Sequence, residues 1–233
     1  MNETIRKRKS IRKYDMEALS AQVLDQIRTQ AASCVPLFPD IRVSVEIASK
    51  TKGMFGIKAP HYLIFRSEQK HGSNGNVGFI GQQMSLYFTE LGLGSCWLGM
   101  AKPEEKDISA LPFTISMAFG KPAEPLFRDL TDFKRKPLIQ ISEGADDRLE
   151  SARLAPSGMN AQNWYFIAAG GQIHCYRKKS SSPLGLVSGK LSEIDMGIAL
   201  CHIMKDSGGF SFSAESGAPE RAGYLYAGTV GCA

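Results

Sequence analysis

The chain has no C-x-x-C pair, no uniformly apolar run of membrane length, and no apolar segment behind its basic start. Each absence excludes something. The five cysteines (Cys34, Cys96, Cys175, Cys201 and Cys232) are odd in number and scattered, so we read them as reduced thiols of a cytoplasmic protein. Cys201-His202 and His174-Cys175 are adjacent pairs. Sequence neighbours on a regular element cannot both point at one ion, and no second pair completes a tetrahedral set, so no metal site is expected. The opening basic stretch runs into charged, mixed sequence, which argues against a secretory signal. The least charged stretch, 74–101, is broken by Glu90 and carries Gln82, Gln83, Ser85 and Thr89. It reads as a helix buried in protein, not as a membrane span. G-x-S-x-G, H-E-x-x-H and the P-loop are missing, so a protein nucleophile or a metal has no support as the seat of chemistry. Ser10-Ile11-Arg12-Lys13 matches S-x-x-K without its S-D-N and K-T-G companions. Gly92-x-Gly94 follows a helix, whereas a dinucleotide fingerprint must follow a strand.

What is present is ordinary bulk with uneven charge. The 233 residues suffice for one large domain or two small ones, and 43% hydrophobic with 22% charged residues is a globular balance. The net charge of +5 is concentrated. Arg6, Lys7, Arg8, Lys9, Arg12 and Lys13 stand together, and Lys134, Arg135 and Lys136 form a second cluster. A nucleic-acid binder would show a broad basic face with interleaved aromatics, so a small anionic ligand is expected, and neither nucleic acid nor membrane as partner.

Periodicity predicts a helix over 16–32, broken at Pro36, and strands over 41–47 and 61–65. It predicts glycine-rich loops over 51–59 and 72–78, a helix over 79–91 stopped by Gly92 and Gly94, and a strand over 111–119. The order then returns: a helix end over 147–154 that breaks at Pro156, strands over 164–168 and 173–176, a serine-rich loop at 180–183, a helix over 191–204 and a strand over 224–230. Paired elements are separated by about 120 residues early and about 110 late, a spacing that suggests internal duplication.

Four pieces carry chemistry. In extended chain Arg8, Ser10 and Arg12 share one side, and two guanidinium forks around a hydroxyl suit a phosphate or a polarised carbonyl. The run 92–99 (GLGSCWLG) lets backbone N–H groups approach a flat ligand. KRKP at 134–137 adds charge, and 155–164 (APSGMNAQNW) offers small and amide groups. In this order the pieces resemble the nitroreductase family of FMN-dependent oxidoreductases. RKSIRKY is similar to the family's R-R-S-x-R-x-F/Y start, ARLAPSGMNAQNWYF to its A-P-S-x-x-N-x-Q-P-W-x-F segment, ELGLGSCWLG to its A-x-G-L-G-S-x-W-x-G, and KRKP to its late basic motif. Asn163 stands where the family has proline. The A-P-S-x-x-N segment also comes after the basic cluster. After the first helix stands ASCVPLFPD (32–40) instead, which resembles a branch of tandem-duplicated single chains.

The resemblance implies an α+β fold with mixed or antiparallel sheets flanked by helices. It implies two related half-domains, 1–146 and 147–233, forming an intrachain pseudo-dimer, with the chain a pseudo-dimeric monomer or a homodimer. It implies FMN as cofactor, NAD(P)H as reductant and a nitroaromatic, quinone or flavin as small-molecule acceptor, in ping-pong exchange at flavin N5 with no catalytic side chain. The implied cofactor set is Arg8, Lys9, Ser10, Arg12, Cys96, Trp97, Leu98, Gly99, Lys134, Arg135, Pro156, Ser157 and Asn160. Arg8, Ser10 and Arg12 would meet the flavin, Lys134 and Arg135 the phosphate, and a backbone N–H near Leu98 or Gly99 the ring. Ser157 and Asn160 would close the site from the second half. That half lacks R-x-S-x-R, so one complete site per chain is implied. A specialised FMN enzyme of the same fold and a flavin-binding sensor without efficient turnover are the alternatives. On residue chemistry alone, Lys7, Lys9 and Lys13 read as solvated charges, Trp97 and Trp164 as core, and Cys96 as a packing residue.

Overall fold

The computed structural model describes residues 2–53, 56–104, 109–179, 185–215 and 217–231, with side chains left out at 185–188. In chain order the elements are α1 (Glu3–Lys7), α2 (Ala21–Ser33), β1 (Val43–Ala48), β2 (Thr51–Gly53), β3 (His61–Ser67), α3 (Ser73–Glu90), β4 (Gly94–Leu98), β5 (Ala101–Pro103) and β6 (Phe113–Gly120). They continue with α4 (Leu138–Ile141), β7 (Ser142–Glu143), α5 (Arg148–Arg153), β8 (Trp164–Ala169), β9 (Gln172–Lys178), α6 (Gly185–Lys205), β10 (Ser211–Ser213) and β11 (Tyr224–Gly231). This is an α+β fold. One sheet has the order β1-β3-β6-β4, all antiparallel. The other has the order β10-β11-β9-β8-β7, antiparallel but for the short β7–β8 pairing. Setting β7 aside, β8, β9, β11 and β10 repeat the arrangement of β1, β3, β6 and β4.

The two long helices, α3 and α6, lie against each other between the sheets. Their backbones approach so closely that only glycine fits. A methyl group on Gly78 would collide with the carbonyl oxygen of Ile194, and one on Gly197 with that of Gly75. The contact is therefore reciprocal. Asn74 donates to Glu193 across the same junction at 2.8 Å. One apolar core runs through both sheets and both helices, from Ile5, Phe65 and Phe88 to Trp164, Phe166, Ile203 and Val230. Burial at this density is the main stabilising contribution. A smaller cluster, with Ile11, Tyr14, Tyr62, Ile64 and Leu98, seats the basic arm on the first sheet.

Several expected boundaries move, each for a local reason. The helix expected over 16–32 is α2, and it starts at Ala21 and not near Met16, because the Ser20 hydroxyl accepts from Val23 N as an N-cap and Leu19 N donates to His61 Nε2 at 2.9 Å. The glycine–asparagine run 72–78 is helix from Ser73 onward. Gly72, at φ 87°, makes the turn, while Gly75 and Gly78 serve the helix crossing. Part of the 51–59 loop, Thr51–Gly53, pairs with Ala101–Pro103. Residues 54–55, the serine-rich loop at 180–183 and Cys232 lie outside the described residues.

Candidate functional site

The basic arm is threaded between strand β4 and the segment 121–128. Ser10 bridges Ser95 in parallel, Ile11 N donates to Ser95 O at 3.0 Å, and Arg8 and Tyr14 bridge Phe127 and Pro122. Ile11, fully buried, lies against Gly94, where a side chain would strike it. Glu124 clamps the turn of the arm, accepting from Arg12 N at 2.6 Å and Lys13 N at 3.1 Å. These backbone donors, with Lys9 nearby, hold the Glu124 carboxyl below its ordinary range.

The other face of the arm borders a cavity of about 800 Å³ whose wall includes Arg8, Lys9, Ser10, Arg12, Arg128, Lys134, Arg135, Pro156, Ser157 and Asn160. Three guanidinium groups dominate it. Arg8 is 2% exposed. Burial first, then the like charges of Arg128 and Arg135, push it down to about 9. Burial likewise lowers Arg128 to about 10 and, with help from Arg128, Arg135 to about 10. All three remain cations at neutral pH. Among the described residues, Asp132 is the one acidic residue in the wall. Arg128 Nε donates to the Arg8 carbonyl at 2.9 Å, and its guanidinium lies 3.4 Å over the Phe133 ring, whose centroid Arg135 approaches to 5.6 Å. Among the described residues, Arg8 Nε, Arg128 Nη2 and Arg135 Nε are buried and have no hydrogen-bond partner. Like charges with orphaned donors are costly to hold together unless an anion joins them.

Residues 155–163 close this cavity from the far side. Met159, Asn160 and Gln162 all have positive φ, a left-handed backbone that ordinary side chains disfavour. Hydrogen bonds to the second basic cluster hold them there. Arg135 Nη1 donates to Asn160 Oδ1 at 2.5 Å, and Asn160 Nδ2 to Lys134 O at 2.7 Å. Lys136 N donates to Gln162 Oε1 at 2.8 Å, and Lys136 Nζ to the Ala161 and Gln162 carbonyls. Gln162 N returns to Ser157 Oγ at 3.0 Å. KRKP is thus the scaffold of the loop as well as a source of charge.

A second cavity, of about 260 Å³, adjoins the first and shares Ser10, Arg12, Pro156, Ser157 and Met159 with it. Its remaining wall is mostly apolar: Cys96, Trp97, Gly99, Met100, Ile115, Leu191, Ile194 and Ile198, with Asp195 among them. Trp97 stacks on Phe65 at 5.5 Å and donates from Nε1 to Gln82 Oε1 at 3.3 Å. Gln82 Nε2 donates in turn to His202 Nε2, whose Nδ1–H meets the Ser151 carbonyl at 2.9 Å. Burial pushes His202 down to about 3, so it works as a neutral link. Cys96 is 7% exposed, and burial raises its thiol, so it is a packing group.

Of the residues expected to serve a cofactor, Arg8, Lys9, Ser10, Arg12, Lys134, Arg135, Pro156, Ser157 and Asn160 meet at the first cavity, and Cys96, Trp97 and Gly99 at the second. Leu98 lines neither; its side chain packs in the smaller core cluster, and β4 is a regular strand in register with β6. The Lys9 ammonium is directed to the Pro125 carbonyl at 3.0 Å and to Glu124 at 3.6 Å. Trp164 is core, at 1% exposure. Arg128 and Asp195 escaped the sequence reading. Arg128 stands alone in a connector without a motif. Asp195 left a trace: it is a carboxylate among apolar residues at helical spacing, with Leu191, Ile194 and Ile198.

Among the described residues, no group of three or more His, Cys, Asp or Glu stands where it could hold a metal ion, and no helix is long and apolar enough to cross a membrane. No curated protein matches the sequence. Among solved structures, one described as a "putative nitroreductase" from Thermotoga maritima superposes over 98% of this chain and 90% of its own, with a TM-score of 0.65 at 20% identity. A "putative nitroreductase in complex with FMN" from Desulfovibrio desulfuricans covers 59% of this chain and 92% of its own, at 21% identity and a TM-score of 0.44. An "FMN-dependent nitroreductase" from Clostridium difficile covers 56% and 93%, at 18% and 0.45. Residues 1–207 match the family model described as "Putative TM nitroreductase", and the chain belongs to that nitroreductase-like family.

Proposed function

We propose that the chain is an FMN-dependent NAD(P)H oxidoreductase that passes reducing equivalents, in ping-pong fashion, to a nitroaromatic, quinone or flavin acceptor. The observation that carries this is the gathering of Arg8, Arg12, Arg128, Lys134 and Arg135 around one cavity. A phosphate dianion supplies what these cations need, charge and acceptor oxygens together. The adjoining apolar cavity suits the flat ring of the same molecule. When bound, FMN supplies the two-electron hydride chemistry that no side chain here offers.

The protein's own part is holding and orienting. Arg8, Arg128, Lys134 and Arg135 would take the phosphate. Ser10 and Arg12, common to both cavities, would meet the polar edge of the ring, where positive charge favours reduction. Trp97, fixed through Gln82 and His202, forms a wall beside Gly99, and Pro156, Ser157 and Asn160 close the site from the other side. We take 1–146 and 147–233 as two related halves of a pseudo-dimer in one chain. The repeated strand arrangement and the reciprocal glycine contacts support this reading. We further propose a cytoplasmic protein with no nucleic-acid or membrane partner.

The test is the absorption spectrum of the purified protein, before and after anaerobic addition of NADPH or NADH. Yellow protein whose flavin bands bleach is the expected result. Yellow protein that neither nucleotide bleaches would leave a flavin binder without turnover, and colourless protein that refuses added FMN would remove the cofactor assignment.

A further inference from the structure

The reciprocal contacts set a register between the two long helices: Gly78 corresponds to Gly197 and Gly75 to Ile194. The same register matches Asn76 on α3 with Asp195 on α6. Both are buried, at 0% and 6% exposure, and both anchor the loop that follows the preceding short helix. Asn76 Oδ1 accepts from Leu37 N at 2.7 Å and Phe38 N at 3.1 Å, while its Nδ2 donates to the Phe38 and Ile41 carbonyls. Its amide is fully used. Asp195 Oδ1 accepts from Gly158 N at 2.9 Å, and among the described residues its carboxyl takes no second hydrogen bond.

Anchoring alone therefore does not call for a carboxylate, since an amide does it better at the matched position. A buried carboxylate without a cation is costly, so its retention asks for a use. Asp195 borders the apolar cavity beside Ser157 and Gly158. The charged or titratable groups that share that cavity are Arg12 from the arm and Cys96 from β4. On its own helix, Glu193 is engaged by Arg177 at 3.1 Å and by Asn74, and Lys190 lies just before them. Among the described residues no ion pair reaches Asp195, and burial pushes its carboxyl up to about 7.

We propose that Asp195 is the acid that protonates the electron acceptor, here followed with a quinone. This rests on the FMN reading above. With reduced FMN held by the residues above, the cofactor would supply the quinone with a hydride, two electrons with one hydrogen. The oxygen that gains negative charge takes the proton from the Asp195 carboxyl as that O–H bond breaks. Quinone, hydride and proton together make the hydroquinone, the flavin returns to its oxidised form, and the Asp195 carboxylate recovers a proton from water.

The test compares the wild type with Asp195→Asn, which keeps the Gly158 hydrogen bond as Asn76 keeps its own. Each protein, loaded with FMN and reduced anaerobically with dithionite, is mixed with a naphthoquinone across about pH 5 to 9 while the return of flavin colour is timed. The wild-type rate is expected to fall about tenfold per pH unit above neutrality. The variant is expected to be at least about tenfold slower at pH 6 and flat with pH. Its bleaching by NAD(P)H, a hydride transfer that takes no proton from the acid, is expected to change less than its reoxidation. Infrared spectra of the flavin-free proteins supply a readout apart from activity. A carboxylic-acid band that titrates near neutrality in the wild type and is missing from the variant is expected. Normal bleaching with equal, pH-parallel reoxidation in both proteins would overturn the Asp195 assignment alone, as would absence of the band. Failure of the wild type to take up FMN would overturn both readings.

Discussion

Two cavities flank the crossing of α3 and α6, one lined by Leu191, Ile194 and Asp195 and the other by Gly72 and Gly75, and they are different places. Beside α6 there is about 260 Å³ of space, open to a larger cavity walled by four guanidinium groups, of Arg8, Arg12, Arg128 and Arg135. Beside α3 there is about 60 Å³. The Phe38 ring lies over Gly72 so closely that a methyl group there would touch it at 2.8 Å, and it meets the Phe212 ring edge-on at 5.9 Å. The guanidinium near this smaller cavity, Arg177, is already paired with Glu193. Similar strand arrangements thus stand beside unlike cavities, and room coincides with a cluster of cationic side chains at only one of the two. One position, amide on one side and carboxyl on the other, separates a fully satisfied anchor from a group with chemistry left over.

The comparison can be broken most strongly at that position. Asp195→Asn makes the two anchors alike. Because its folded value of about 7 lies above the ordinary 3.8, the native state keeps a proton that the unfolded chain has released between those values. Wild-type stability is therefore lost as pH rises from about 4 to about 7, by up to about 4 kcal/mol. The variant lacks this slope, so urea midpoints are expected to coincide at pH 4 and to favour the variant at pH 8. Gly197→Ala attacks the crossing itself. Its methyl group meets the Gly75 carbonyl, backbone that cannot swing away, and a loss of about 3 kcal/mol with weakened FMN uptake is expected from denaturation and flavin titration.

Arg8→Met removes one member of the guanidinium cluster. Losing one charge-assisted contact is expected to weaken FMN about thirtyfold, near 2 kcal/mol, while riboflavin, which has no phosphate, binds as before. The apo protein is expected to keep or gain melting temperature, since a buried like charge is gone. Phe38→Ala reopens space beside α3 at about 2 kcal/mol of stability, less than a fully buried ring because Phe38 is half-buried. It is expected to leave the FMN content unchanged, because space without free charge makes no phosphate site. Lys13→Ala, on the solvent side of the arm, is expected to shift either property by under about 0.5 kcal/mol.

The sequence made the basic arm and the Pro156–Asn160 loop legible because each is a contiguous motif whose residue types state their chemistry. Alternation correctly separated Ser10 and Arg12, toward the cavity, from Ile11, toward the core. Glycine misled twice. Gly75 and Gly78 read as loop, and Gly94 as a backbone cradle. In the fold the first two permit a helix crossing, and the third makes room for Ile11 within a strand. Both purposes depend on what packs against the residue, which local sequence does not carry. Arg128 and Asp195 were hidden for the same reason. Each is an unremarkable charge in its own segment and acquires meaning from partners far along the chain. Lys134 and Arg135 were legible as charge, but their role in bracing left-handed residues at 159–162 follows from geometry alone.

The most direct measurement is a calorimetric titration of the flavin-free chain with FMN, read for the number of sites per chain. The account predicts one, held in the arginine-walled cavity, with riboflavin binding more weakly at the same site. Two equivalent sites would contradict the closure of the cavity beside α3, and no uptake would contradict the account at its centre.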